Sequence, residues 1–290
     1  MCATCGCSTA EGAVLVTAHD HDHAHGHDHS HSHGHDHGHD HSHDHSDGHV
    51  HDHEHTNGGQ VGRLDQIDAT DSRTVVLERA VLAKNDELAS VNRAWFARRR
   101  ILALNIVSSP GSGKTTLLER TIRDIGADVP MVVIEGDQAT ENDSARIRAA
   151  GARALQVNTG TGCHLEAGIV GKALDVLGPE DDSVVIIENV GNLVCPALFD
   201  LGERAKVAIL SVTEGDDKPA KYPYMFAVAD LIVINKTDLL PYVDFDVERC
   251  IANARAVRPG LEAIALSAKT GENMDAWYSR IRRARQPAHV

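Results

Sequence analysis

No apolar run in this 290-residue chain approaches the roughly 18 residues that a membrane-spanning helix needs, and the N-terminus has neither the basic nor the apolar region of a secretory signal. Neither a spanning segment nor export is expected, and a cytoplasmic location follows. The first 60 residues contain no lysine or arginine but ten acidic residues, so they carry most of the formal net charge of −14. The rest of the chain is close to neutral. It projects no strong field, so neither nucleic acid nor an anionic membrane is expected as a partner. Outside the N-terminal region there is no internal repeat, and the length is ample to bury a core as one domain.

What the N-terminal region does have is histidine: 18 of the 20 histidines fall between His19 and His55, mostly at every second position and interleaved with Asp, Gly and Ser. Imidazole has an unperturbed pKa of about 6.5, so near neutral pH most of these side chains offer a lone pair to a borderline metal ion. An appended purification tag would be a contiguous run. The interleaved residues supply no apolar face to offset the entropy of folding, so residues 1–60 are expected to be a disordered metal-binding arm. Residues 61–71 read as a polar linker, and 72–290 as the folded domain.

Six cysteines stand at positions 2, 5, 7, 163, 195 and 250. In a reducing compartment clustered thiols point to metal or redox chemistry before disulfides. Cys2, Cys5 and Cys7 gather three thiolates within six residues, which the α-amine can complete to a four-ligand set. They are too few for an ordinary four-cysteine iron–sulfur cluster. Cys250 sits mid-helix and reads as a core thiol.

From residue 72 to 100, Val76, Leu77, Ala80, Val81, Leu88, Val91 and Trp95 recur at helical spacing, which predicts a long amphipathic helix packed on a sheet. Short apolar runs near 101–107, 130–135, 153–157, 183–188, 206–212, 230–235 and 262–266 then alternate with helical stretches. This alternation predicts an α/β fold with a largely parallel, doubly wound sheet.

Directly after the first strand comes Ser108-Ser109-Pro110-Gly111-Ser112-Gly113-Lys114-Thr115-Thr116, a phosphate-binding loop in the required strand-to-helix context. Gly111, Ser112 and Gly113 let backbone N–H groups face phosphates, Lys114 meets the β and γ oxygens, and Thr115 can hold Mg²⁺, with Thr116 beside it. Ser108 stands where the usual pattern has glycine. Asn235-Lys236-Thr237-Asp238 and Ser267-Ala268-Lys269 each follow a strand and resemble the guanine-reading elements of GTPases. A carboxylate at Asp238 accepts both guanine N1–H and the exocyclic amine, a donor pair adenine lacks, so GTP is favoured over ATP. Asp137 and Glu188, at strand ends, are the candidates for positioning Mg²⁺ and water, with catalytic roles shared by Lys114. Gly191 lets backbone approach the γ-phosphate.

Cys163, His164 and Cys195 are candidate soft ligands for a second metal site. Cys163 and His164 are expected at a helix start, where adjacent residues diverge by about 100°, so one ion needs an irregular turn or two subunits. Cys195 lies seven residues beyond Glu188, so moving that segment on hydrolysis would move a ligand.

With these residues in place the chain resembles the hydrogenase nickel-incorporation GTPases, over essentially its whole length. The resemblance implies that Cys2, Cys5 and Cys7 form a tight nickel motif, the histidine tract a store, and Cys163, His164 and Cys195 a core site for nickel or zinc. It also implies a GTP-promoted homodimer, delivery of nickel to the hydrogenase large subunit with a partner metallochaperone, and a contact of Lys218 with nucleotide across the dimer. Ligand types alone do not name the metal. The alternatives are a nickel or zinc buffer with a regulatory GTPase core, and a urease-type accessory GTPase, whose Cys-Pro-His core motif differs from the separate Cys163-His164 and Cys195 here. The Gly-Cys-x-Cys-Cys element of the cobalamin-related zinc GTPases is absent.

Overall fold

The computed structural model describes residues 14–16, 69–137, 142–160 and 162–285, of which 14–16, 69–75, 137 and 142 in their backbone alone. β-Branched runs bounded by turn residues make the strands, as the sequence predicts. β2 (Leu102–Ser108), β3 (Met131–Asp137), β4 (Arg153–Asn158), β5 (Val184–Glu188), β6 (Ala205–Ser211), β7 (Leu231–Asn235) and β8 (Glu262–Ala265) pair in parallel. The sheet order is β1-β4-β3-β5-β2-β6-β7-β8, which puts β2 and its phosphate loop near the middle. All strand ends that carry site residues therefore emerge along one edge, the usual ligand position in open α/β sheets.

β1 (Val14–Val16) corrects the expectation that the whole of residues 1–60 is disordered. It pairs antiparallel with β4, Val14 opposite Asn158 and Val16 opposite Gln156. Its three residues form the arm's only consecutive apolar, strand-favouring run, and β4 would otherwise present an unpaired edge. The rest of the arm, with Cys2, Cys5, Cys7 and the histidine tract, lies outside the described residues, as does the linker through residue 68.

Helices cover both faces: α1 (Ala69–Arg98), α2 (Lys114–Ile125), α3 (Asn142–Ala149), α4 (Ala167–Leu177), α5 (Cys195–Leu198), α6 (Lys218–Lys221), α7 (Pro223–Val228), α8 (Val247–Val257) and α9 (Met274–Arg285). Alternation along β2 explains the layering. Leu102, Leu104 and Ile106 join one apolar cluster with α2 and α9, whereas Ala103 joins another with α1 and α4. A third cluster, on the β6–β7 side, contains Cys250, which is fully buried as expected of a core thiol. Burial pushes that thiol up to about 12.

α1 begins three residues before the predicted start, so Ala69–Asp71 are helical and not linker. Its packed face also differs from the predicted apolar stripe. Val76, Leu77, Leu88 and Val91 are exposed, and the buried positions are Asn85, Ala89, Asn92 and Phe96. The two asparagines dock the helix through backbone groups: Asn92 Nδ2 donates to the carbonyls of Ala167 (2.8 Å) and Leu201 (3.0 Å), and Asn85 Nδ2 to that of Asp200 (2.7 Å). Close approach to α4 uses its glycines. A Cβ on Gly171 would sit 3.1 Å from Asn92 Oδ1. Among the described residues no helix is long and apolar enough to cross a membrane.

Candidate nucleotide and metal site

The loop between β2 and α2 turns through glycines in the left-handed region, Gly111 at φ 75° and Gly113 at φ 93°. Only glycine adopts such angles without strain. At Gly113 a side chain is also excluded by space, since a Cβ would lie 2.6 Å from Asn235 Nδ2. α2 starts at Lys114, so its unpaired N–H groups and positive end face the cavity beside the loop. Ser108, the departure from the usual pattern, is used: Lys114 Nζ donates to its hydroxyl (2.9 Å), which donates to the Ser109 carbonyl (2.7 Å).

A cavity of about 600 Å³ opens over this loop, lined among others by Gly111, Gly113, Lys114, Thr115, Thr116, Glu188, Gly191, Lys236 and Cys163. Its volume suits a nucleotide-sized ligand. At its floor the Thr115 hydroxyl lies 3.0 Å from Glu188 Oε1 and 3.1 Å from Asp143 Oδ2. One hydroxyl proton cannot satisfy two carboxylates. The second oxygen of Glu188 is buried without a hydrogen-bond partner, and burial pushes this carboxyl up to about 7, partly countered by Lys114. Two convergent carboxyl groups, one desolvated and under-partnered, are a fitting receptor for a hard cation. Gly191 approaches the loop so closely that a Cβ would meet Pro110 at 3.1 Å.

The two loops that are candidates to read the base are held by a closed set of hydrogen bonds. Asn235 Nδ2 donates to the Ser112 carbonyl (3.0 Å), and its Oδ1 accepts from the N–H groups of Lys236 (2.8 Å) and Ala268 (3.1 Å). Ser267 Oγ donates to Asp238 Oδ1 (2.6 Å), and Lys236 Nζ to the Gly111 carbonyl (2.6 Å). These bonds lock the two loops to each other and to the phosphate loop. Lys269 is exposed, and Asp238, Ser267, Ala268 and Lys269 do not border the cavity over the phosphate loop.

Cys163, His164 and Cys195 come together, their donor atoms all within 4.8 Å of one another. The expected helix start at Cys163 is corrected. Both residues lie in a bend and α4 begins only at Ala167, so the divergence of adjacent helical positions does not apply and one chain supplies all three donors. His164 stacks on Phe199 at 3.8 Å, and burial pushes its pKa down to about 4. Its imidazole is therefore neutral at physiological pH, as a ligand must be. His164 Nε2 is buried without a hydrogen-bond partner, and Cys163 Sγ lies 3.5 Å from Nδ1. Soft sulfur and imidazole donors select nickel, zinc or copper over magnesium.

Residues 102–265 match the CobW/HypB/UreG nucleotide-binding domain family. The hydrogenase maturation factor HypB of Escherichia coli K12 is 60% identical over 207 residues, 71% of each chain. That settles the family. The chain belongs to the HypB hydrogenase maturation factors. Among solved HypB structures, that of Archaeoglobus fulgidus is 42% identical with a TM-score of 0.66, covering 70% of this chain and all of that one. The HypB of Helicobacter pylori, solved in complex with nickel, is 37% identical with a TM-score of 0.65, covering 71% of this chain and 99% of that one.

Three cavity-lining residues of this HypB chain were not expected from sequence: Asn192, after Gly191, and Asp143 and Arg146. Asp143 and Arg146 sit in the first turns of α3, where an acidic residue reads as an ordinary helix-start charge. Arg146 is held by Glu119 (2.8 Å) and reaches the Thr116 hydroxyl (3.3 Å). Asp137 closes β3, but its side chain lies outside the described residues. Lys218 is engaged within its own chain, 3.1 Å from Glu214 and over the ring of Tyr222.

Proposed function

We propose that this HypB chain is a GTP-hydrolysing nickel metallochaperone that serves maturation of nickel–iron hydrogenase. Nickel is its cargo and GTP its substrate. The observation that carries this reading is Cys163, which borders the nucleotide cavity and is also one of the three clustered metal donors. A ligand shared by both sites makes nucleotide state and metal affinity parts of one equilibrium.

In this reading Lys114 and the loop N–H groups neutralise the phosphates, while Asp238 reads the guanine edge. Thr115 and Glu188 would hold Mg²⁺, with Asp143 beside them, and Asp137, at the end of β3, is proposed as a further group for the ion or its waters. When bound, that ion would supply neutralisation of phosphate charge. Glu188 orients the attacking water, and no covalent enzyme intermediate forms. Slow turnover is expected, since GTPases without a partner's help run near about 10⁻³ to 10⁻² per second.

Family resemblance supports a GTP-promoted homodimer that delivers nickel to the hydrogenase large subunit with the help of a partner metallochaperone. For Lys218 to reach a partner's nucleotide it must first leave Glu214. Zinc suits the same donors as nickel. The free thiols of Cys163 and Cys195, close together, suit a reducing compartment, which supports the cytoplasm. The second reading, a storage protein with a regulatory GTPase core, is favoured by the histidine tract at 19–55.

The deciding experiment titrates the full chain and its Cys163→Ala variant with nickel by chelator competition, each with GDP and with a non-hydrolysable GTP analogue. Delivery requires that nickel affinity change with nucleotide and that Cys163→Ala abolish the change. Identical titrations leave storage.

A further inference from the structure

Along one face of the sheet, between two apolar clusters, runs a line of buried polar side chains that belongs neither to the nucleotide cavity nor to the metal donors. Asn105 and Lys206 are register partners on β2 and β6. Asn105 Nδ2 donates to Glu203 Oε1 (3.0 Å), and Asn105 Oδ1 accepts from Asn189 Nδ2 (3.3 Å). Lys206 Nζ lies 3.6 Å from Glu203 and donates to the carbonyls of Pro196 (2.8 Å) and Phe199 (3.1 Å). Both asparagines are fully buried, and Glu203 and Lys206 are nearly so.

The ends of this line are what give it meaning. Asn189 Oδ1 accepts from the N–H of Val190 (3.0 Å), beside the cavity-lining Gly191, and from the N–H of Leu165 (3.1 Å), beside His164. At the other end Pro196 adjoins Cys195, and Phe199 stacks on His164. Every backbone segment that supplies a metal donor is thus bonded to the line, and so is the segment that borders the nucleotide. A buried ion pair such as Glu203–Lys206 is weak evidence for stability, because desolvation offsets its attraction. Its geometry instead fixes how far one segment stands from another.

We propose that Asn189, Asn105, Glu203 and Lys206 are positioning residues that convert displacement of the 189–191 segment into a change in the spacing of Cys163 and His164 against Cys195. The inference rests on the reading that the cavity takes GTP and the cluster takes nickel. Asn189 carries Leu165, and with it Cys163 and His164, whenever the segment moves. Lys206 meanwhile anchors the Cys195 segment to β6. The donors therefore shift relative to one another, and nickel affinity follows the nucleotide.

The test uses the full chain with Cys2, Cys5 and Cys7 replaced by Ser, so that thiolate absorption reports the core donors. This background, called wild type below, is compared with the same chain carrying Glu203→Gln with Lys206→Met, which removes both buried charges together and leaves Gln as a partner for Asn105. Nickel affinity is measured by chelator competition with GDP and with a non-hydrolysable GTP analogue, alongside the nickel–thiolate absorption band. In the wild type the two affinities should differ by about tenfold or more. In the double variant they should agree within about twofold, with the absorption band retained and GTP-analogue binding unchanged. A folded double variant that keeps the wild-type ratio overturns the inference. Should it fail to fold, Asn105→Thr, which shortens the line and adds no charge, takes the same measurement: a collapsed ratio supports the inference and a wild-type ratio overturns it. Failure of the underlying reading looks different: the wild type itself would show one affinity in both nucleotide states, or no nickel–thiolate band.

Discussion

The two ends of the nucleotide-binding edge are built on opposite terms. At the end proposed to read the base, Asn235 makes three hydrogen bonds and Ser267 holds Asp238, so the loops are fixed without a ligand. At the phosphate and metal end, two carboxylates converge on one Thr115 hydroxyl, while Glu188 Oε2 and His164 Nε2 are buried without hydrogen-bond partners. Buried groups left short of partners are costly, and they recur where a ligand supplies what is missing. The contrast is between a template finished in the folded chain and an unfinished one, whose buried groups are short of partners.

Five measurements would break or sharpen that contrast. The largest effect is expected from Asp238→Asn. Replacing the acceptor with an amide should abolish the preference for GTP and favour xanthosine triphosphate, whose ring carbonyl accepts that amide, a swing on the order of 10⁴ in relative affinity. Nucleotide competition reads it, and an unchanged preference would show that Asp238 does not read the base. Next, Lys114→Ala should lower GTP turnover by about 10²- to 10³-fold in a phosphate-release assay. Normal hydrolysis by that variant would remove the loop from the chemistry.

Third is pH. Because burial holds Glu188 neutral up to about 7 against an ordinary 4.5, the nucleotide-free folded chain keeps a proton that the unfolded chain has lost. Its contribution is full below 4.5 and is lost as pH rises through about 7. Glu188→Gln should therefore be more stable than wild type at pH 8, by up to ~3 kcal/mol, with the difference vanishing toward pH 4.5 in denaturant unfolding. A difference independent of pH would mean that Glu188 is already partnered.

Fourth, Cys195→Ala should weaken nickel binding at the core site by at least ~tenfold, since even the groups that merely orient ligands are worth about 10- to 100-fold. The smallest effect falls on Cys250→Ala, in the third apolar cluster. It should cost about 1 kcal/mol of stability and leave nickel stoichiometry untouched. A lost ion in that variant would show that the core thiol is a ligand.

Much of this was legible along the chain, and the failures have specific causes. β2, β3, β5, β6 and β7 were visible because a strand buried along its length is a short apolar run between turn residues, and the part-exposed β4 and β8 were visible from shorter apolar stretches in the same alternation. The phosphate loop was visible because glycine, lysine and threonine act there through consecutive positions. The packed face of α1 was misread because Asn85 and Asn92 dock it by bonding to backbone groups of loops far away in sequence, which hydrophobic periodicity cannot register. Cys163 and His164 were expected on a helix, where they would diverge, yet the bend preceding Ala167 lets both face Cys195. Asp143 and Arg146 resembled ordinary surface charges until the fold of α3 set them at the cavity.

By itself the sequence determined the local chemistry: which residues can cradle phosphate, read guanine or ligate a soft metal, and which runs become strands, because these depend on residue type and near-neighbour spacing. The tertiary structure alone decided which of them share a site. Cys195 meets Cys163 and His164 because β3 pairs in parallel with both β4 and β5, and Asn189 meets Asn105 because β5 pairs in parallel with β2, which sets residues distant along the chain side by side. Whether Glu188 is charged was decided there too, since desolvation is a property of everything packed around a carboxyl and of no single stretch of chain.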